Sequence, residues 1–350
     1  MTTHPALRGG LLALLAAVLF GLSTPLLQRL GAGLGPLTAA ALLYAGAALV
    51  GLWSRQPHGR EARLARADLP RLAAMAALGA GIGPVALAWG LQHTSGTSAS
   101  LMLTLEAVCT ALLARALYGE TMDRRVWLAM ALLLAGGAAV VLDQSRAGAP
   151  QLWGLLAVLL ATLAWGADNT LSRPLAERDP GQVVLAKALL GSAATGALAW
   201  TFGEPQPGAT AALALLALGA TGYGLSLRLY LLAQRAFGAA RTGSVFAFAP
   251  FIGAVAAFAL GERDASWVLL LGGGLMVAGV LLHLAETHGH PHTHEALDHE
   301  HAHRHDDGHH DHDHNHTPML AGPHSHPHVH TPRTHSHPHV PDAHHQHGHG

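Results

Sequence analysis

The sequence predicts an all-α integral membrane protein, with ten transmembrane helices arranged as two inverted five-helix repeats and a disordered C-terminal tail. Three observations support this class. Half of the 350 residues are hydrophobic and only 12% are charged, about half the charged fraction of a soluble domain. From Gly9 to Leu284 the apolar residues fall into ten long stretches. Those stretches recur at an offset of 142–145 residues.

In chain order the stretches are 9–30, 34–53, 72–92, 97–117, 126–142, 153–173, 182–202, 209–231, 240–260 and 266–284. Each is close to the roughly 20 residues a helix needs to cross a bilayer core. Polar breaks such as SRQPHGREARLARADLP, QHTSG, RPLAERDPG and FGEPQPG separate them. No soluble domain can hide ten such runs from water, whereas helices in lipid satisfy their own backbone hydrogen bonds. Small residues are dense in GAGIGP and LGGGLMVAG, which lets helices approach closely. The first stretch lacks a small-residue cleavage site followed by a soluble domain, so it is read as a span and not as a signal peptide. Trp53, Trp127 and Trp153 fall at span ends, where an aromatic belt is expected. With the N-terminus in the cytoplasm, twelve loop Arg face the cytoplasm and only Arg29, Arg146 and Arg263 face away. The bias predicts an inner-membrane protein with both termini cytoplasmic.

The halves align through short matches. Gly10-Leu11-Leu12-Ala13 recurs as Gly154-Leu155-Leu156-Ala157, and Phe20-Gly21 as Trp165-Gly166. Gly119-Glu120 recurs as Gly261-Glu262, and Ala135-Gly136 as Ala278-Gly279. We therefore divide the chain into a first repeat (1–145), a second repeat (150–285) and a tail (286–350). An odd number of helices per repeat forces opposite orientations. Secondary transporters that alternate access around a midplane site are built this way.

The segments TLEAVCTALLARALYGE with WLAMALLLAGGAAVVL, and FAPFIGAVAAFALGE with WVLLLGGGLMVAGVLLHL, resemble the EamA-type branch of the drug/metabolite transporter superfamily. There each half ends in a helix, a Gly-Glu turn and a closing helix. WGADNTLSR, GYGLSLRLYLLAQR and ARTGSVFAFAPFIGA look like a bacterial subgroup that also carries a His-rich tail. The resemblance covers about residues 9–284 and implies a permease, not an enzyme. It names no solute. The second half keeps Pro250, whereas the first has Ala107 where the family often places Pro.

Charge at membrane depth is costly, about 2.5–3.5 kcal/mol or more on insertion scales, and usually faces a cavity or a partner. Glu106 sits mid-span between Thr104 and Thr110. It either exchanges a proton in each transport cycle or pairs with a buried base to hold helices together. Asp168 and Asn169 follow Trp165 as Ser23 and Thr24 follow Phe20, giving a pseudo-symmetric polar pair at the repeat interface. The alternative for Asp168 is a local ion pair with Arg173. Lys187, the single Lys, either snorkels to the interface or faces inward as a counter-charge. Arg115 and Arg228 read as anchors, and Tyr223, Ser226 and Gln234 as possible cavity lining.

The 28 His are distributed as four before residue 286 and 24 after it. The tail sums to −7 with His neutral and the rest to +6, so the formal net charge of −1 describes neither part. His288, His290, His292 and His294 alternate, as do His299, His301, His303 and His305. His309, His310, His312, His314 and His316 follow among four Asp, then His324, His326, His328 and His330. Imidazoles in that density can hold zinc, nickel, cobalt or copper ions; the alternatives are a pH-responsive brush or a low-complexity extension. No cofactor is required for transport. The single Cys109 excludes an internal disulfide and any Cys-based metal site, and no phosphate-binding GxxxxGK loop exists. Expected partners are lipid and a small-molecule or ion substrate, with a homodimer as a further option and no nucleic acid. The leading function is a secondary transporter with a metal-binding tail. The alternatives are a transition-metal efflux permease, which the absence of a His or Cys cluster within the spans disfavours, and a membrane-anchored metal buffer.

Overall fold

A computed structural model describes residues 5–56, 61–119, 122, 124–145, 148–175, 178–237, 239–262 and 266–284, together with four tail segments, 288–294, 297–303, 324–330 and 333–339. The first nine helices are α1 (Arg8–Leu30), α2 (Pro36–Ser54), α3 (Arg66–Leu91), α4 (Gly96–Tyr118), α5 (Arg124–Ser145), α6 (Ala149–Leu175), α7 (Pro180–Thr201), α8 (Ala209–Gln234) and α9 (Thr242–Ala259). Among the described residues, these nine are long and apolar enough to cross a membrane. The tenth, α10 (Trp267–Leu284), is an apolar helix of 18 residues. Between 33% and 56% of each crossing window is buried within the protein, so the remaining Leu, Trp and Phe faces need an apolar surround. That surround is lipid. The chain is a multi-pass membrane protein.

The packing follows the repeat. α2 packs most extensively against its mate α7, and α5 against its mate α10. α1 lies against α8 and α9, while α6 lies against α3 and α4. Glycines mark the close crossings: Gly46 of α2 meets the backbone of Leu216 and Ala220, and Gly191 of α7 meets Ala80.

Departures from regular helix recur in both halves. α3 widens to a π-helix over Ala76–Ile82, and α8 does so over Gly219–Leu225. α4 tightens to a 3-10 turn over Leu103–Leu105, and α9 breaks between Phe246 and Ala249. Pro250 explains the break in α9, since Pro cannot donate to the preceding turn. Ala107 has no such excuse, yet α4 tightens at the equivalent place. The interruption is therefore set by packing as well as by Pro.

The two ends of the bundle are tied across the halves. At the end away from the tail, the Glu204 carboxylate accepts from Leu37 N (3.2 Å), Thr38 N and Thr38 Oγ1 (both 2.7 Å), capping α2. Glu262 caps α4 in the same way, through Gly96 N (2.8 Å), Thr97 N (2.9 Å) and Thr97 Oγ1 (3.0 Å). Carboxylates at helix N-termini are favoured by the exposed amides and the helix dipole. At the tail end, Arg178 pairs with Asp68 at 3.0 Å, and Gln56 N donates to Asp179 at 3.1 Å.

In the tail, His288–His294 pairs antiparallel with Arg333–His339, and Leu297–His303 with His324–His330. His-Xaa alternation has the period of a strand. Isolated two-stranded ladders are marginal in water, and these add no layer to the helical bundle.

Candidate functional site at the crossing of the two halves

The site is built on the C-terminal half of α6, where Trp165, Asp168 and Asn169 follow one another over about one turn. Gly166 lies between them and lets α4 approach, because a Cβ there would meet Cys109. Trp165 and Asp168 are 5% and 4% exposed. Both face the π-helical turn of α3. A Cβ on Gly79 would overlap the Asp168 carboxylate, and one on Gly83 the Trp165 indole. π-Turns free backbone carbonyls from the regular ladder, and here the Gly79 carbonyl accepts from Trp165 Nε1 at 2.9 Å and from the Tyr44 hydroxyl of α2.

Lys187 of α7 is 3% exposed and forms a buried ion pair with Asp168 through Nζ and Oδ2. Of the two fates open to Lys187, the structure selects the inward one. The Asp168–Arg173 pair is not formed; Arg173 instead lies over the Tyr118 ring at 4.8 Å. Sequence spacing favoured Arg173 because it is near in the chain, whereas α7 brings Lys187 alongside α6 in space. Glu106 begins the helical segment that follows the 3-10 turn of α4 and accepts from Asn169 Nδ2 at 2.5 Å. Its partner is thus an amide, not the buried base considered above, and it lies within electrostatic reach of Asp168 and Lys187.

Above these groups sits an aromatic cluster. Phe20, Trp165 and Tyr223 form a triangle with ring centroids 5.6, 6.0 and 6.4 Å apart. Tyr44 meets Tyr223 at 5.6 Å and Phe246 meets Phe20 at 5.4 Å. Tyr230 extends the cluster through Phe246 at 5.0 Å. Tyr44, Tyr230 and Phe246 were not singled out from sequence. Their signal was weak: Tyr44 is a lone polar-tipped aromatic in a small-residue helix, and helical phase alone does not say which face it takes.

Ser23 and Thr24 are buried on α1. Ser23 Oγ donates to its own helix at Phe20 O (2.6 Å), and Gly222 of the α8 π-turn packs against it as Gly79 packs against Asp168. Ser226 does not line the cluster, because its hydroxyl donates to Ala16 O of α1 at 2.8 Å. Arg115 lies 5.9 Å from the Trp127 ring, consistent with an anchor. Of the metal candidates, His305, His309, His310, His312, His314 and His316 lie outside the described residues, and for the others only backbone is described. The backbone register sets His290 opposite His337 and His301 opposite His326. Among the described residues, no group of three His, Cys, Asp or Glu is placed to hold a metal ion.

The sequence pattern of the EamA-like transporter family matches residues 7–142 and again 152–285. The chain belongs to this family. Among curated relatives, this EamA-like protein is 29% identical over 265 residues to a probable terminal-alkyne amino-acid exporter of Streptantibioticus cattleyicolor, covering 74% of this chain and 85% of the relative. It is 25% identical over 291 residues to an uncharacterized transporter of Methanothermobacter thermautotrophicus, covering 76% and 83% respectively. One solved crystal structure superposes with a TM-score of 0.55 at 20% identity, over 79% of this chain and 95% of that one. That likeness concerns the fold of the EamA-like bundle.

Proposed function

We propose that this transporter moves a small organic solute across the inner membrane by alternating access around the Glu106–Asn169 and Asp168–Lys187 cluster, with both termini in the cytoplasm. The observation that carries this reading is a buried Asp168–Lys187 pair beside a half-buried Glu106–Asn169 pair, where two inverted halves cross. A bundle needing only stability gains little from them, since buried ion pairs rarely outperform apolar packing. Export is the direction the Streptantibioticus relative's name supports. Glu106 is the coupling group: an acid that binds and releases one proton per cycle while Asn169 orients it. Ser23, Thr24, Trp165 and Tyr223 are assigned to the solute path beside it, supported by their burial and, for Trp165 and Tyr223, by their ring contact. In proteoliposomes, Glu106→Gln should abolish proton-driven movement yet leave solute exchange at equilibrium measurable; a variant with normal proton-driven transport would overturn the coupling role.

The tail is a cytoplasmic collector of Zn²⁺, Ni²⁺, Co²⁺ or Cu²⁺ that regulates the permease. Its support is 24 His in 65 residues, interleaved with carboxylates that offset ionic charge. The spans offer no described ligand set for a metal, which makes regulation a better reading than metal efflux. Calorimetry of the full chain against the same chain lacking residues 286–350 tests it: metal binding should vanish with the tail. If the truncated protein binds metal equally, the tail is not the collector.

A further inference from the structure

The central cluster is unequal in charge and in surface. One ion pair, Asp168 with Lys187, stands in the second half, and Glu106 beside it carries the coupling proton. Lys187 occupies only Oδ2 of Asp168; Oδ1 is buried without a hydrogen-bond partner. The Asp168 side chain is 6% exposed, and a buried carboxylate oxygen is costly to leave without a donor. The Phe20–Trp165–Tyr223 triangle stands over this end of α6. Trp165 is the buried one of seven Trp, the other six being exposed along the bundle. Aromatic ring faces carry negative potential and attract cations within about 6 Å of the centroid. The mate of Asp168 in the first half is Ser23, which is neutral and already bonded to Phe20 O. Charge recognition is therefore one-sided, and the aromatic cluster supplies the apolar contact.

We infer that the central site recognises a solute bearing an ammonium group, which donates to Asp168 Oδ1 beneath the ring triangle while an apolar body lies along the aromatics. Lys187 then serves as the resident cation that keeps the carboxylate paired when the site is empty. This rests on the transport reading above and gives it a substrate class. An anionic solute would have to displace Asp168 from Lys187, the ammonium that Asp168 already occupies.

The test uses the full chain in nanodiscs and a matched pair of probes, phenethylamine and phenylacetate, which share a ring and differ in charge. Intrinsic tryptophan fluorescence is the readout. Phenethylamine should change it saturably and phenylacetate should not, and Trp165→Phe should remove the response. Asp168→Asn alone leaves Lys187 buried and unpaired, so the balanced pair D168N/K187M is compared as well. There phenethylamine should bind at least about tenfold more weakly, as loss of a charge-assisted hydrogen bond predicts. Preference for phenylacetate, a response to neither probe, or undiminished amine binding in D168N/K187M would each overturn the inference. Amine binding without counterflow of any solute would uphold the ammonium site while removing the transport reading on which it was built.

Discussion

Lys187 and Asp168 stand or fall together. Replacing one partner of a buried ion pair leaves an uncompensated charge and costs about 3–5 kcal/mol, whereas replacing both with apolar or neutral groups is far less damaging. Lys187→Met should therefore lower the thermal midpoint in detergent markedly, and D168N/K187M should recover much of it. A double variant as unstable as the single one would mean the pair is not the unit. Tyr44 has a subtler role. Its hydroxyl holds the Gly79 carbonyl, so Tyr44→Phe should keep the fold and lower turnover more than affinity, checked by the split between maximal rate and half-saturation in vesicles. The charged residues of the site were legible in the sequence because charge is rare in apolar spans. Their pairing was not. Asp168 had a basic neighbour five residues away at Arg173, and only the placement of α7 against α6 puts Lys187 closer.

At the scale of elements, the π-turns of α3 and α8 and the interruptions of α4 and α9 are the features that sequence periodicity could not reveal. Apolar runs without polar faces have no phase, so a turn of one extra residue leaves no trace in composition. Span existence and order were legible for the opposite reason, since length and hydropathy alone decide them. The π-turn of α3 is held by contact: Gly79→Ala would press a methyl into the Asp168 carboxylate. Such overpacking costs about 1–3 kcal/mol. Gly274→Ala, where a Cβ inside α10 meets open space, is the control and should be neutral or slightly stabilising. Equal midpoints for the two variants by fluorescence-detected unfolding would refute the contact. The Gly-Glu turn seen in the sequence also gains a physical reason. Glu262 caps α4, and Glu262→Ala should cost about 0.5–2 kcal/mol, the range for losing an N-cap.

At the scale of the molecule, the repeat seen as scattered dipeptides is a packing rule: each half leans on the other more than on itself. α2 finds its largest partner in α7, and α5 in α10. This has a consequence for biosynthesis. When the ribosome has released the first five helices, the contact faces of α2 and α5 have nothing to dock on, and lipid must hold them until residues 180–201 and 267–284 emerge. The two halves expressed separately should be degraded, and expressed together they should assemble into one complex, recoverable by a tag on either piece. The nascent protein is in this sense a hand waiting for its opposite, and its most vulnerable moment is the interval between the fifth helix and the tenth.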